Sequence, residues 1–376
     1  MKLRHYATLL FVSYLCSANG AAPTTDQKEL GWDPPHTWIF AVGVLHWKHS
    51  EMFGSFPVKE RRDAELVDFF RQRGVPENQI VYLQDTNGTQ ERIDEAFTEQ
   101  LKKIGPNDLL IVYYAGHGSK WQKGKDVYLA SYDAGDKGVP GWSVNSIPTK
   151  ISANSSCRRV LWFIDCCYSG QAANAIAAAE RSISYACVTS SSASESSTGH
   201  WTFTEALLDT LRGVAYVDLN HDGAITLAEF ASHAHADMAL GEEQLSTFAT
   251  TPGFDRQMIL ARAPALESAR VGERVQLQWR GDWYPVRVIQ ENREKLKVHY
   301  IGYAASDDLW VTPDKLRPIK PVQYAVGSNV DVLWKKKWYP ATILKVEDGI
   351  HLIHYTDYDS SWDEWVASKR IRKARS

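Results

Sequence analysis

The chain has 376 residues, 44% of them apolar, and a formal charge of −3. That is enough for two or three domains with their own cores, and too nearly neutral for nucleic-acid binding by bulk electrostatics. Five cysteines are too few for a disulfide framework at this length, and no CxxC spacing points to a zinc cluster.

At the N-terminus Lys2, Arg4 and His5 precede the apolar run YATLLFVSYLC, which is too short to cross a bilayer comfortably. Ala18, Asn19 and Gly20 supply the small residues of a cleavage site. Residues 1–22 are expected to be a signal peptide, and the mature chain to be secreted or periplasmic with no membrane span. Cys157, Cys166, Cys167 and Cys187 then remain; whether Cys157 and Cys187 pair stays open.

From Thr37 short apolar strands alternate with helical patterns. TWIFAVGV, QIVYLQ, DLLIVYYAGHG, RRVLWFID and SISYACVTSSS read as strands. ERRDAELVDFFRQRG, ERIDEAFTEQLKKIG and WTFTEALLDTLRG read as helices. Strands that are apolar throughout predict an α/β fold, a mostly parallel sheet with helices on both faces. This domain is expected over residues 37–263.

After Pro264 two segments match at an offset of 55 residues: VGERVQLQWRGDWYPVRVI with VGSNVDVLWKKKWYPATIL, and KVHYIGYAASDDLWV with LIHYTDYDSSWDEWV. Each reads as short alternating strands with charged turns, predicting two small SH3-like β-barrels over residues 270–318 and 324–373. The short link between them and the first domain places the modules close to it. The tail from Lys369 carries five Lys/Arg and reads as a solvated terminus.

The third strand ends in YYAGHG and the fourth in DCC. Parallel strands bring both ends to one sheet edge, where functional groups of open α/β sheets gather. His117 and the Cys166/Cys167 pair are therefore a candidate site. A thiol becomes a useful nucleophile when a neighbour takes its proton, which imidazole does. The amides of Gly118 and of the nucleophile itself are a candidate oxyanion hole.

YYAGHG and DCCYSG resemble the motifs of caspase-like cysteine peptidases, especially the metacaspase and bacterial caspase-homologue branch. The resemblance implies that Cys167 is the nucleophile and His117 its partner. Cys166 is then a small filler whose side chain points the opposite way. It further implies that Asp165 lines a pocket preferring Arg or Lys before the scissile bond. Ala115 stands where many of these enzymes carry Ser, and the QACxG string of caspases proper is absent.

DLNHDGAITLAEF spaces oxygen donors as an EF-hand loop does over residues 218–229: Asp218, Asn220, Asp222, the Ala224 carbonyl, Thr226 and Glu229 at the twelfth position. Ca²⁺ is the expected cofactor, with no organic cofactor. The repeats resemble Tudor-type modules, including chromo-barrel and agenet relatives. That resemblance implies a ligand and an aromatic cage of Trp338, Tyr355, Tyr358 and Trp362 in the second copy. The cage of the first copy is weaker because Asp307 stands at the position of Trp362. The expected activity is that of an exported cysteine endopeptidase acting on peptides or proteins. The competing expectation is a silent scaffold that binds through its Tudor-like modules.

Overall fold

The computed structural model describes residues 30–59, 61–121, 126–193, 199–320, 322–334, 336–347 and 349–374. The expected signal peptide lies outside them. The chain runs β1 (Thr37–Gly43), α1 (Arg62–Gln72), β2 (Ile80–Gln84), α2 (Gln90–Leu101), β3 (Leu109–Ala115), β4 (Gly118–Lys120), β5 (Val127–Leu129), β6 (Trp142–Ser143) and α3 (Ser146–Asn154). It continues through β7 (Arg159–Asp165), α4 (Gln171–Ala177), β8 (Ser184–Thr189), α5 (Thr202–Arg212), β9 (Ala224–Thr226), α6 (Leu227–Asp237), β10 (Thr247–Thr250) and β11 (Ile259–Arg262).

Six strands form the main sheet in the order β10-β8-β7-β3-β1-β2. All neighbours are parallel except β10, which runs antiparallel along β8. Strands β1 and β3 are buried along their whole length because helices cover both faces. Phe40, Val112, Tyr114 and Trp162 pack with Ile93, Phe97 and Leu101 of α2 on one face. Ile39, Ile111, Tyr113 and Phe163 pack with α1, α5 and α6 on the other. Each such large side chain contributes roughly 1.5–3 kcal/mol on burial. The mostly parallel α/β sheet is as expected; the antiparallel edge strand and the β4–β6 hairpin sheet are additional.

The repeats fold as two five-stranded antiparallel sheets. The first comprises β12 (Arg274–Trp279), β13 (Asp282–Glu291), β14 (Leu296–Tyr300), β15 (Leu309–Val311) and β16 (Leu316–Pro318). The second comprises β17 (Asn329–Trp334), β18 (Lys337–Glu347), β19 (Ile350–Tyr355), β20 (Glu364–Ala367) and β21 (Ile371–Lys373). Both are small barrel modules with a bulge at equivalent places, Val288/Gln290 and Ile343/Lys345.

The first barrel docks on the sheet domain through buried charges. Arg287 donates to Asp237, Arg274 Nε donates to the same carboxylate at 2.7 Å, and the Arg287 guanidinium lies 4.7 Å from the Tyr216 ring centroid. Burial pushes the Asp237 carboxyl up, but the charges of Arg287 and Arg274 outweigh it and hold the pKa well below the ordinary value. His233 stays neutral, pushed down to about 3 by burial. The second barrel packs Ile350 and Ala367 against Ala239 and Leu245.

Candidate active site

In the register of β3 and β7, Ala115 lies opposite Asp165. His117 and Cys167 each follow two residues later, so equal strand lengths deliver both to one edge. The approach of the two loops is tight. A Cβ on Gly118 would stand 1.9 Å from the Cys167 carbonyl oxygen and 3.1 Å from Cys166 Sγ. Only glycine permits that approach, and it holds the residue after His117 against the Cys167 backbone. Tyr168 follows with φ 59°, a left-handed turn uncommon for such a side chain.

Strand alternation separates the two cysteines. Cys166 is buried among the α2/α3/α4 core, its Sγ donating to the Cys167 carbonyl at 3.3 Å. Burial first, then the neighbouring Cys167 and Asp165, push its thiol well above the ordinary range. Cys167 is half-buried. Cys157 and Cys187 are free thiols and are not paired.

The His117 ring sits among Trp47, Phe53 and Phe56, with centroids at 4.5, 5.7 and 4.5 Å. Its Nε2 lies 2.8 Å from the Gly54 carbonyl oxygen. A carbonyl only accepts, so Nε2 carries the proton and Nδ1 keeps the lone pair. Burial lowers the pKa below 6.5 despite the Gly54 bond, so the imidazole is neutral at pH 7. Nothing in the sequence flagged Gly54, because a backbone acceptor leaves no residue signature.

Asp165 continues the alternation onto the α5 face. Thr204 Oγ1 donates to its Oδ2 at 2.7 Å. Together with Leu45, Phe56, Ala115, Gly116, Gly199, His200 and Trp201 it lines a narrow slot of about 30 Å³. Phe56 is shared between this slot and the His117 ring, so the slot adjoins His117. No Lys or Arg lines it. Burial raises the Asp165 carboxyl to about 6, against the hydrogen bonds of Thr204 and Ser190 and with the charge of Glu242 adding to the rise. His200 in turn places Nδ1 3.1 Å from a Glu242 carboxylate oxygen.

The Caspase domain profile matches residues 61–263, more than half of the chain. The chain belongs to the caspase-domain family. Its sheet also takes in β1, which precedes the matched segment. The chain is similar in structure to protein GSU0716 from Geobacter sulfurreducens, at 15% identity over 61% of this chain and 100% of that one, with a TM-score of 0.45. It is similar to Caspase-1 from Spodoptera frugiperda at 11% identity, over 62% and 93% of the two chains, with a TM-score of 0.41. The profile described as the RNA binding activity-knot of a chromodomain (Tudor-knot) matches residues 324–373. Tbtudor matches at 25% identity over 14% of this chain and 100% of its own, with a TM-score of 0.14. No curated protein matches the chain.

Beside the caspase-domain sheet, the 218–229 loop is closed by its own acids. Asp218 accepts from the Gly223 and Asp222 amides at 2.8 and 3.3 Å. Glu229 Oε1 accepts from the Leu219 and Asn220 amides, and its Oε2 from the Thr226 amide. Asn220 Oδ1 and Asp222 Oδ1 accept from the Asp222 and Ala224 amides at 2.9 Å. Thr226 is the N-cap of α6, with Glu229 completing a capping box. Among the described residues, no group of three or more His, Cys, Asp or Glu side chains is placed to hold a metal on its own.

The second barrel gathers Trp334, Tyr339, Tyr355, Tyr358 and Trp362, with neighbouring ring centroids 5.7–6.5 Å apart. Trp338 stands apart from this group, its ring under the Arg372 guanidinium at 4.1 Å. Side chains alternate along β18, so Tyr339 joins the cluster where Trp338 was expected. The first barrel is parallel: Trp283 lies under Arg317 at 3.8 Å, while Trp279, Tyr284, Tyr300 and Tyr303 line an open cleft with Asp307.

Among the described residues, no helix is long and apolar enough to cross a membrane.

Proposed function

We propose that this caspase-domain protein is an exported cysteine endopeptidase that cleaves after Arg or Lys through a Cys167–His117 dyad. The observation that carries the reading is the contact of Gly118 on the Cys167 backbone, which ties the histidine loop to the nucleophile loop beside the Asp165 slot. His117 Nδ1 takes the Cys167 proton, and the thiolate attacks the scissile carbonyl carbon. The amides of Gly118 and Cys167 face the oxyanion that forms. His117 then returns the proton to the leaving amine as the C–N bond breaks. Water, deprotonated by His117, attacks the thioester and releases the acid. A basic side chain in the slot offsets the desolvated Asp165 carboxylate.

We further propose calcium at the 218–229 loop, held by Asp218, Asn220, Asp222, the Ala224 carbonyl, Thr226 and Glu229. In support, the carboxylates of Asp218 and Glu229 are buried, and no Lys, Arg or His pairs with either among the described residues. A bound cation would neutralise them and stiffen the turn into α6.

The test is hydrolysis of fluorogenic peptides carrying Arg, Lys or Asp before the scissile bond, by the wild-type chain and by Cys167→Ala. Cleavage of the Arg and Lys peptides that is lost in the variant is expected. Cleavage of the Asp peptide, or cleavage that survives in Cys167→Ala, overturns the reading. No turnover by the wild type favours the scaffold.

A further inference from the structure

The first barrel meets the caspase domain at the wall of the Asp165 slot. His299 of β14 places Nε2 3.3 Å from Glu205 of α5. In the following turn Gly302 has φ +86°, and a Cβ there would stand 2.6 Å from both Glu242 Oε1 and Thr202 Oγ1. Thr202 donates to Glu242, and Glu242 in turn bonds His200, a slot-lining residue. The next residue, Tyr303, sets its ring centroid 5.4 Å from that of His200. The same tyrosine lines the barrel's own cleft with Trp279, Tyr284, Tyr300 and Asp307, enclosing about 490 Å³. Slot and cleft therefore share one continuous wall: Asp165, His200, Tyr303, Asp307.

We propose that the first-barrel cleft is a second substrate subsite, taking a cationic side chain of the same peptide whose basic residue enters the Asp165 slot. This rests on the peptidase reading above. The argument for a cation is charge complementarity. Asp307 is exposed at the rim and has no ion-pair partner among the described residues. No Lys or Arg lines the cleft. The aromatic faces that line it carry negative quadrupole density. The Arg280 guanidinium already stands 5.9 Å from the Trp279 ring centroid. An apolar group would leave Asp307 desolvated and unpaired. The argument for one peptide is the shared wall. Two ring widths separate slot from cleft, which an extended chain rising ~3.3 Å per residue crosses in roughly three to five residues.

The cleft also turns the weaker copy of the sequence comparison into the more useful one. Asp307 in place of Trp362 opens the aromatic group and puts a carboxylate in the gap.

The experiment measures peptide binding by fluorescence anisotropy to the full chain carrying Cys167→Ala, so that nothing is consumed. Every peptide has Arg at the first position and Lys, Gln or Phe placed three, four or five residues to either side. At one spacing the Lys peptide is expected to bind about three- to tenfold more tightly than the Gln peptide, as exposed ion pairs and cation–π contacts allow. Asp307→Asn should remove most of that ratio and Asp307→Glu should restore it. Equal affinities for Lys and Gln at all spacings overturn the proposal. So does a Lys preference that survives both Asp307→Asn and Trp279→Ala, or tighter binding of the Phe peptide. A matched set with Gln at the first position reads the Asp165 slot separately, so failure of the cleft and failure of the slot are distinguishable.

Discussion

Replacing Asp165 by Asn should make the protein more stable and less active, with both changes tied to one titration. The carboxyl titrates at about 6 in the fold against an ordinary 3.8, a gap worth about 3 kcal/mol. Because the folded pKa is raised, the protonated form is the one the fold favours. Its stabilising effect is complete below about pH 4 and is lost as pH rises through 6. At pH 7.5 the empty slot thus holds a carboxylate at a cost of about 3 kcal/mol, and Asp165→Asn removes that cost. Urea unfolding should show the variant more stable by roughly 2–3 kcal/mol at pH 7.5 and nearly equal at pH 4. Activity should move the other way, since a basic substrate side chain loses its charged partner. A fall of about 10²-fold in kcat/KM for Arg peptides is expected, equivalent to ~3 kcal/mol. On the proposed mechanism two groups should shape the acid limb of the wild-type profile: Asp165, acting ionised, and His117, acting neutral. The variant should keep only the His117 part, and so should the wild type with Gln before the scissile bond. An Asn variant that is destabilised at pH 7.5, or that keeps both Arg preference and the limb near pH 6, would refute the reasoning.

Alkylation of the native chain at neutral pH, read by mass spectrometry, should modify Cys167 ahead of the other described cysteines. Burial raises the thiols of Cys157 and Cys166, and pushes Cys187 up to about 12. Gly118→Ala should abolish turnover while leaving far-UV circular dichroism near wild type, because the new methyl must displace the Cys167 carbonyl. Millimolar calcium should raise Tm by several degrees, about 2.7 kcal/mol at one hundred times Kd. Chelation should reverse the gain, and Glu229→Gln, which keeps a capping oxygen, should lose it. Arg287→Ala should cost about 3 kcal/mol in urea unfolding by leaving the buried Asp237 short of a partner. The double change Arg287→Met with Asp237→Asn should recover part of that loss.

What was legible in the sequence depended on local repetition. β1, β3 and β7 are buried on both faces, so each reads as an unbroken apolar run. His117 and Cys167 stand out because each follows such a run by two residues. The edge strand β10 is half-buried throughout and shows neither an apolar run nor an alternation. Trp338 and Tyr339 are adjacent aromatics in one motif, and only strand parity tells the caged ring from the one under Arg372. Gly54 acts through its carbonyl, which every residue has. Asp237 and Arg287 lie far apart in sequence among many other charges, and nothing local marks them as partners.

The segment from Met238 to Leu245 joins both barrels to the wall of the Asp165 slot. Glu242 faces His200 in the slot wall. Gly241 has no room for a Cβ beside Ile301 of the first barrel, where it would stand 2.7 Å from Cγ2. Ala239 and Leu245 pack on Ile350 and Ala367 of the second barrel, and Glu243 pairs with Lys369 at 2.8 Å. Eight consecutive residues thus touch the slot wall and both modules. Packed interiors transmit displacement because they have few voids to absorb it. The contacts of both barrels thus converge on the segment that carries Glu242, which bonds His200, the residue between the Asp165 slot and the first-barrel cleft.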